Sequence, residues 1–331
     1  MPEQGLDDLA ADPDWFLHRV DAVEGRALFV RSDRDRLAST LFLDGRTSFG
    51  SGETRSVELA ALEELAGATA VPAKLILHMS FCGSTQLAHL VGESGAGIVL
   101  KEPQALVDLA DWQRTLTERK IADRRFGPAL RASIALLSRS WPASPPTIIK
   151  PSNWANNLIP ILDAAGSRAV LVTIERRAFL RAVFRGGRDR LAFTARAASH
   201  FAAAAGQTAR IDRAIGGVDD AFDQMARLVL VAHDLQQQYL ADSDRFAATA
   251  RIDQKLIGSD PRAALYRASS TLALSCSPDR ANVIHRLSSL DSKNPGRPFT
   301  ANGQAAEDDV VEHHHGQRFD RALAWADQHP D

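Results

Sequence analysis

The feature that most restricts the fold of this chain is a set of short apolar segments, each followed by a polar or Gly/Pro turn and a helical pattern. They are KLILHM before SFCGST, GIVL before KEP, TIIK before PSNWANN, and AVLVTI before ERR. Such an alternation of strand, turn and helix is typical of a parallel sheet. The segments are apolar throughout, as expected for strands covered by helices on both faces. The sequence therefore predicts an α/β fold whose four turns share one sheet edge.

The rest of the chain predicts a small N-terminal element and a mostly helical C-terminal half. Two apolar patches flank a charged segment in RALFVRSDRDRLASTLFLDGR, which indicates a small β or α/β unit. Helical patterns dominate from about Arg188 to Leu274. We predict one α/β domain over residues 1–331. Its parts are an N-terminal extension over 1–70, a central sheet with its loops over 71–190, and a helical part with a late loop over 191–331.

The charge balance and the cysteine content narrow the class of protein. The 39 basic and 41 acidic side chains give a net charge of -2, which argues against a duplex-DNA coat or a polybasic membrane anchor. No apolar run is long enough for a signal peptide or a membrane span. Cys82 and Cys276 cannot form a disulfide framework or a four-cysteine zinc site. We therefore expect a cytoplasmic protein without nucleic-acid or membrane partners.

The turn after the first apolar strand, SFCGST over residues 80–85, has the composition of an anion site. Its small residues allow backbone N–H groups to converge at a helix N-terminus, which attracts phosphate or sulfate oxygens. Ser84 and Thr85 add hydroxyl donors. The turn lacks the Gly-Lys-Ser/Thr element of a Walker A loop. The same residues also fit a capped turn in which Ser80 or Ser84 satisfies the helix end.

Charged side chains follow two further strands. Glu102 comes directly after GIVLK and can act as a general base toward an acceptor hydroxyl. Lys150 ends TIIK, where a cation can neutralise the charge of a leaving oxygen, and Asn153 can donate an amide hydrogen bond to the same anion. In the alternative interpretation, Glu102 caps or pairs at a helix start and Lys150 pairs with a carboxylate.

In their order and spacing these motifs resemble the sulfotransferase family of P-loop proteins, in particular its bacterial members. The similarity extends from about Lys74 to Arg190, with a weaker echo in SLDSKNPGRPF. Members of that family transfer a sulfonate from 3'-phosphoadenosine 5'-phosphosulfate (PAPS) to a hydroxyl or amine. The resemblance implies a P-loop-type sheet, PAPS and a small-molecule or peptide acceptor, with Glu102 as base and Lys150 as charge stabiliser. Around the 5' end of the nucleotide, the resemblance places six residues: Ser80, Cys82, Gly83, Ser84, Thr85 and Asn153.

The sequence departs from the family pattern at the phosphate-binding charges. Phe81 stands where the family carries Lys or Arg, and Ile174 and Ala182 stand where it carries Arg and Ser for the 3'-phosphate. The cations that we predict as replacements are Lys150 for the 5' end of the nucleotide, and Arg177, Arg181, Lys293 and Arg297 for the 3'-phosphate. Two alternatives stay open. One is a nucleotide-dependent phosphotransferase on the same fold, disfavoured because no Walker Lys and no magnesium-holding Asp stands at a strand end. The other is a binding or scaffold protein that has lost the chemistry, which the missing phosphate-binding charges favour.

Two further groups invite chemical hypotheses that we do not favour. The triplet His313-His314-His315 lacks an accompanying cysteine or carboxylate cluster, so we predict a solvated turn without a metal ion. Cys82 could be a thiolate nucleophile at a helix N-terminus. No candidate base accompanies it, and we predict a buried small side chain instead.

Overall fold

The structure is a computed structural model that describes residues 4–67, 72–162, 166–275 and 301–329. It confirms the predicted α/β fold, with a parallel sheet flanked by helices, a small N-terminal element and a helical C-terminal half. The strands are β1 Trp15–Asp21, β2 Arg26–Arg31, β3 Thr54–Glu58, β4 Lys74–His78, β5 Ile98–Lys101, β6 Thr147–Lys150, β7 Arg168–Thr173 and β8 Ala248–Asp253.

The helices connect and surround these strands. The α-helices are α1 Gln4–Ala11, α2 Arg34–Ser39, α3 Leu59–Gly67, α4 Ser84–Glu93, α5 Gln104–Arg119, α6 Phe126–Leu137, α7 Arg176–Arg185, α8 Gly187–Ala204, α9 Ala209–Ile215, α10 Ala221–Ala241, α11 Gln254–Ser259, α12 Pro261–Thr271 and α13 Ala301–Gln328. Short 3-10 helices cover Asn153–Ile161 and Asp242–Arg245. Among the described helices, none combines the length and apolar character that a membrane span requires.

The parallel sheet has the strand order β5-β6-β4-β7-β8. The chain runs from β4 to β5 and β6 on one side, and then crosses to β7 and β8 on the other. The winding direction therefore changes beside β4, and ligands of open α/β sheets bind at the carboxyl ends of strands next to such a change. This topology brings the turns after β4, β5, β6 and β7 to one edge.

Strands β4 to β7 of this sheet are buried on both faces. Consecutive residues of a strand point to opposite faces, and Leu75, Ile76 and Leu77 of β4 are each at most 2% exposed. The same holds for Val170 and Leu171 of β7. The continuous apolar runs therefore form strands that are buried on both faces, as the sequence predicts.

A separate antiparallel sheet, β1-β2-β3, forms the N-terminal element. The sheet packs on α5 and α6 through β1, and one polar contact in this region comes from Arg139, which is 8% exposed. The guanidinium of Arg139 donates to the backbone carbonyls of Leu9 at 2.5 Å, Trp15 at 2.5 Å and Leu136 at 3.0 Å. Burial lowers the pKa of Arg139 to about 10. This one side chain ties α1 and β1 to α6.

The C-terminal half differs from the prediction in one strand. β8 pairs in parallel with β7, and Ile252 lies opposite Val172. The segment ATARID gave no continuous apolar run, because β8 lies at the sheet edge and only Ile252 is fully buried in it. The parallel sheet therefore extends beyond residues 71–190, which the sequence predicted for it.

A long helix replaces the predicted solvated turn at His313–His315. The ring of His315 lies 4.9 Å from that of Phe184 and 6.1 Å from that of Phe319. Its Nδ1 accepts a hydrogen bond from Arg318 at 2.6 Å. The prediction of a turn is wrong because the triplet is one part of α13, which packs on α7 and α10.

Candidate functional site

The turn between β4 and α4 has a strained backbone. α4 begins at Ser84 after Gly83, which takes a left-handed φ of 81° without the strain of a side chain. Phe81 also has a positive φ, of 58°, which is unusual for a bulky residue and costs about 1–3 kcal/mol. Its ring lies 5.9 Å from that of Phe179 and 5.1 Å from the guanidinium carbon of Arg190. The guanidinium of Arg190 on α8 therefore lies over the ring of Phe81, at the position where sulfotransferases carry Lys or Arg.

Three hydrogen-bond donors converge on one oxygen beside this turn. The amide N–H of Ser80 at 3.0 Å, its hydroxyl at 3.2 Å and the Nδ2 of Asn153 at 3.2 Å all donate to Oε1 of Gln236. Asn153 also donates to the Ser80 hydroxyl at 2.8 Å. Ser80, Asn153 and Gln236 are 5%, 7% and 0% exposed. The structure thus brings Ser80 and Asn153 together and adds Gln236 from α10, whose Oε1 accepts all three hydrogen bonds.

The other side chains of the turn are buried. Cys82 is 0% exposed and its thiol donates to the carbonyl of Met79 at 3.0 Å. Burial raises the pKa of Cys82, which keeps the thiol protonated and agrees with a buried small side chain in place of a nucleophile. Ser84 and Thr85 are each 5% exposed. These hydroxyls lie in the interior rather than in solvent.

Glu102 and Lys150 form an ion pair at the ends of β5 and β6. The ammonium of Lys150 donates to Oε1 of Glu102 at 2.9 Å, and the side chains are 0% and 16% exposed. Glu102 has a φ of 57°, and its amide donates to the carbonyl of Lys150 at 2.7 Å. The structure therefore brings the predicted base and the predicted charge stabiliser into contact. The pair also fits the alternative, in which Lys150 balances a carboxylate.

A loop of the N-terminal element covers this ion pair. The guanidinium of Arg46 lies 2.5 Å from Oδ2 of Asp44 and 3.8 Å from Oε2 of Glu102. The amide of Leu43 donates to the carbonyl of Lys101 at 2.7 Å, which fixes the loop on the end of β5. The carboxylate of Glu102 therefore lies between a buried ammonium and an exposed guanidinium.

Further positive charge accumulates at the same strand ends. Lys101, which lies beside Lys150 in the sheet register, is 5% exposed and donates to the carbonyl of Ala38. Burial, and next the charge of Lys150, lowers the pKa of Lys101 to about 8. Burial, and next the charge of Lys101, lowers the pKa of His89 on α4 to about 4. Two ammonium groups next to each other favour an anion nearby.

His78 links the turns that follow β4 and β6. Its Nδ1 lies 2.9 Å from the carbonyl oxygen of Met79, and its Nε2 lies 2.9 Å from that of Pro151. The two carbonyls favour an imidazolium, but complete burial and then the charge of Lys150 outweigh them and lower the pKa of His78 to about 3. The imidazole is neutral at pH 7 and carries a single N–H. It can therefore donate to only one of the two carbonyls, and its other nitrogen faces a carbonyl oxygen without a hydrogen bond.

Acidification is expected to destabilise the protein through His78. With a pKa of about 3 in the native chain, His78 stays unprotonated at pH 5, whereas in the unfolded chain it takes up a proton below about pH 6.5. The contribution of His78 to the free energy of unfolding is therefore fully present above pH 6.5 and is lost as the pH falls toward 3. At pH 5 the loss amounts to about 2 kcal/mol. Urea unfolding at pH 7 and pH 5 should show this loss diminished in His78→Gln and retained in the exposed-site control His313→Gln. Equal pH dependence in both variants would contradict it.

The predicted 3'-phosphate residues on α7 contact the C-terminal helix. Arg177 pairs with Glu312 and, at 2.6 Å, with Asp320. Nε of Arg181 lies 4.0 Å from Oε2 of Glu312. These contacts favour a structural role for both arginines, and their part in nucleotide binding stays a prediction. The other two predicted cations, Lys293 and Arg297, lie outside the described residues.

Comparisons with known proteins leave the family open. No protein-family model matches the chain, and the search of curated proteins found no match. The resemblance to sulfotransferases therefore depends on the motifs between about residues 74 and 190 and remains a hypothesis.

Three residues of this region were missed by sequence reasoning. Gln236 lies within the helical pattern DLQQQYL, where nothing distinguishes it from a solvated glutamine. Arg190 carries no signal beyond its charge. Arg46 had a weak signal, because the polar triplet DGR follows the apolar patch TLFL and therefore predicts a turn, although not its location over Glu102.

Proposed function

We propose that the chain is a sulfotransferase-like enzyme that transfers a sulfonate from PAPS to a hydroxyl or amine of a small acceptor. The observation that carries the proposal is the ion pair of Lys150 with Glu102 at the carboxyl edge of a parallel sheet, where Asn153 joins the next turn to Ser80. A fully buried ammonium is costly to maintain. Its position at the edge where ligands of such sheets bind favours a chemical role.

The residues fit the 5' end of the nucleotide better than its 3' end. The donors on Ser80 and Asn153 already surround one oxygen, that of Gln236, and can hold a sulfate or phosphate oxygen in the same way once Gln236 moves aside. Arg190 supplies a cation beside Phe81. Of the described candidates for the 3'-phosphate, Arg177 is paired with Glu312 of α13, and Arg181 lies 4.0 Å from the same carboxylate.

The proposed chemistry needs one base and one cation. When bound, PAPS supplies a sulfonate whose bond to the phosphate oxygen breaks as the acceptor oxygen or nitrogen bonds to sulfur. Glu102 accepts the proton of the acceptor at a carboxylate oxygen. Lys150 donates one N–H to Glu102 and has two more donors, which can stabilise the negative charge on the leaving phosphate. Arg46 helps to position the carboxylate from the solvent side.

A second candidate, a binding protein without the chemistry, is favoured by one observation. Gln236 already satisfies the donors that would hold an anion, and it is fully buried. In that case the donors of Ser80 and Asn153 would serve only to attach α10 to the turn after β4, and they would not bind a ligand.

Ligand-induced thermal stabilisation distinguishes the sulfotransferase-like enzyme from the phosphotransferase and the binding protein. A ligand that binds only the native chain raises its melting temperature. The proposal predicts stabilisation by PAPS and by 3',5'-adenosine bisphosphate. Stabilisation by ATP alone would favour a phosphotransferase, and no stabilisation by any of the three would favour the binding protein.

Transfer of radiolabelled sulfonate from PAPS to a panel of hydroxyl and amine acceptors tests the role of Glu102. Glu102→Gln should bind 3',5'-adenosine bisphosphate normally but lose at least about 100-fold in transfer rate, since general-base catalysis contributes about 10²–10⁴-fold. The exposed Glu64→Gln variant is the control. A Glu102→Gln enzyme with undiminished transfer would remove Glu102 as the base.

A further inference from the structure

The C-terminal helix α13 is attached differently on the two sides of Gly316. Beyond Gly316 the helix is anchored by three buried apolar side chains, those of Phe319, Ala322 and Ala326, which are 0%, 2% and 4% exposed. Of the described residues 303–314, none is buried, and Val311 is partly buried against the core. We call residues 303–314 the acidic strap.

Ion pairs attach the acidic strap to α7. Arg185 is paired with Asp308, and its Nε lies 3.8 Å from Oε2 of Glu307. Arg177 is paired with Glu312. The side chains of these five residues are between 18% and 55% exposed. Ion pairs that solvent reaches add little stability, and salt screens them. The acidic strap is therefore held less firmly than the anchored part of α13.

Glu312 is shared unequally between two arginines. Its carboxylate is paired with Arg177, whereas Nε of Arg181 lies 4.0 Å from its Oε2. The last two atoms are buried and have no hydrogen-bond partner among the described residues, which is costly. A terminal phosphate offers three acceptor oxygens, and a planar guanidinium binds phosphate through two parallel hydrogen bonds. A phosphate in the place of the Glu312 carboxylate can therefore satisfy both arginines.

Gly316 provides a flexible point at the end of the acidic strap, because glycine weakens the interior of a helix. A Cβ atom at this position would lie 3.1 Å from Oε1 of Glu312 and 3.8 Å from Nη2 of Arg177. The missing side chain thus also leaves room for the pair of Glu312 with Arg177. The same residue permits the docked contact and allows the strap to bend away from α7.

The charge that α7 presents depends on whether the acidic strap is docked. In the docked state the guanidinium groups of Arg177, Arg181 and Arg185 face the carboxylates of the strap, so this face of α7 has no excess positive charge. Release of the strap uncovers Arg181 and Arg185. The pairs with the anchored part of α13 stay in place, namely Arg176 with Asp327 at 2.8 Å and Arg177 with Asp320 at 2.6 Å. An anion is therefore favoured at this face only in the released state.

From these contacts we propose that the acidic strap is an autoinhibitory element. Its Glu312 occupies the place at Arg177 and Arg181 that the 3'-phosphate of the nucleotide takes, and nucleotide binding releases the strap. The role of the nucleotide here rests on the proposed function. A ligand that binds only the released state shifts the population toward that state, and it binds more weakly the smaller the released fraction is. Weakening the strap should therefore strengthen nucleotide binding.

Calorimetric titration of 3',5'-adenosine bisphosphate into the wild type and Glu312→Gln tests the strap. We expect Glu312→Gln to bind about 10-fold more tightly, because the strap loses its charge contact with both arginines and the released fraction grows. Adenosine 5'-monophosphate lacks the 3'-phosphate and should bind both chains alike. The control Asp309→Asn removes the same charge from an exposed position of α13 that makes none of the ion pairs named above. It should leave the bisphosphate affinity within about 2-fold.

The variant Arg181→Gln tests the same site from the side of the cation. It should weaken bisphosphate binding about 10-fold, because a charged hydrogen bond to the phosphate is lost, and leave the binding of adenosine 5'-monophosphate unchanged. The side chain of Arg181 is 33% exposed, so the variant should fold. Unchanged bisphosphate affinity in either Glu312→Gln or Arg181→Gln would overturn the autoinhibitory strap, while bisphosphate binding by the wild type would still support the nucleotide function.

Hydrogen exchange over residues 303–314 separates a failure of the strap from a failure of the nucleotide function. Pyrophosphate carries phosphate groups without a nucleoside, and at an ionic strength matched with chloride it should accelerate exchange of the strap amides. Without any ligand, exchange should be faster in Glu312→Gln than in Asp309→Asn. If the bisphosphate binds neither the wild type nor Glu312→Gln but pyrophosphate accelerates exchange, the strap stands and the nucleotide function fails. Equal exchange in pyrophosphate and in chloride would overturn the strap.

Discussion

Replacing Lys150 by Met is expected to lower the free energy of unfolding by about 3–5 kcal/mol, because it leaves the Glu102 carboxylate without its buried partner. The side chain of Lys150 is 0% exposed and that of Glu102 is 16% exposed, so water cannot fully replace the lost ammonium. The second substitution Glu102→Leu should recover most of this loss. A buried ion pair and an apolar pair of similar volume are often close in stability.

Urea unfolding of the wild type, both single variants and the double variant gives the coupling energy of the pair. The exposed ion pair of Arg131 with Glu63, 3.1 Å apart with side chains 54% and 53% exposed, is the matched control. Arg131→Met should cost at most about 1 kcal/mol. A loss of similar size in Lys150→Met would contradict a tightly coupled buried pair.

The double variant also separates stability from chemistry. If Lys150 and Glu102 act on the acceptor and the leaving phosphate, the double variant should be folded and yet inactive in sulfonate transfer. Transfer activity that returned together with stability would show that the pair only holds the strand ends in place.

The sequence was most informative about the sheet and its edge. Apolar runs such as that from Leu75 to Leu77 predict strands because helices cover both faces, and the carboxyl ends of parallel strands must meet at one edge. That rule places Glu102 near Lys150 from the sequence alone. Their spacing of 2.9 Å could not be predicted, because it depends on the left-handed backbone at Glu102.

The sequence was least informative where helices from the second half of the chain return to this edge. Gln236 reaches Ser80 across 156 positions, and the helical pattern around it shows only which face is apolar. The basic face of α7 predicts a phosphate site or a solvated surface equally well, and the acidic residues of α13 that pair with it lie more than a hundred positions later. Local patterns do not encode which charged faces meet.

Replacing Gln236 by Ala should have the second large effect on stability. It removes the one oxygen that accepts from the Ser80 amide, the Ser80 hydroxyl and Asn153. Gln236 is 0% exposed, so the amide and the hydroxyl of Ser80 lose their acceptor in a buried site, whereas Asn153 keeps its hydrogen bond to Ser80. With about 1–3 kcal/mol for each unsatisfied group, the free energy of unfolding should fall by about 3 kcal/mol. Gln317→Ala, at an exposed position of α13, should change it by less than about 0.5 kcal/mol.

Sulfate distinguishes an anion site from a packing contact in this variant. If the three donors can hold an oxyanion, a sulfate oxygen should take the position of Oε1 in Gln236→Ala and restore stability by RT ln(1 + [sulfate]/Kd). Sulfate also strengthens burial in every protein, so the comparison is with Gln317→Ala at the same sulfate concentration. A larger rise in melting temperature for Gln236→Ala is expected. An equal rise in both variants would mean that the donors serve packing alone, and the binding-protein candidate would then be preferred at this edge of the sheet.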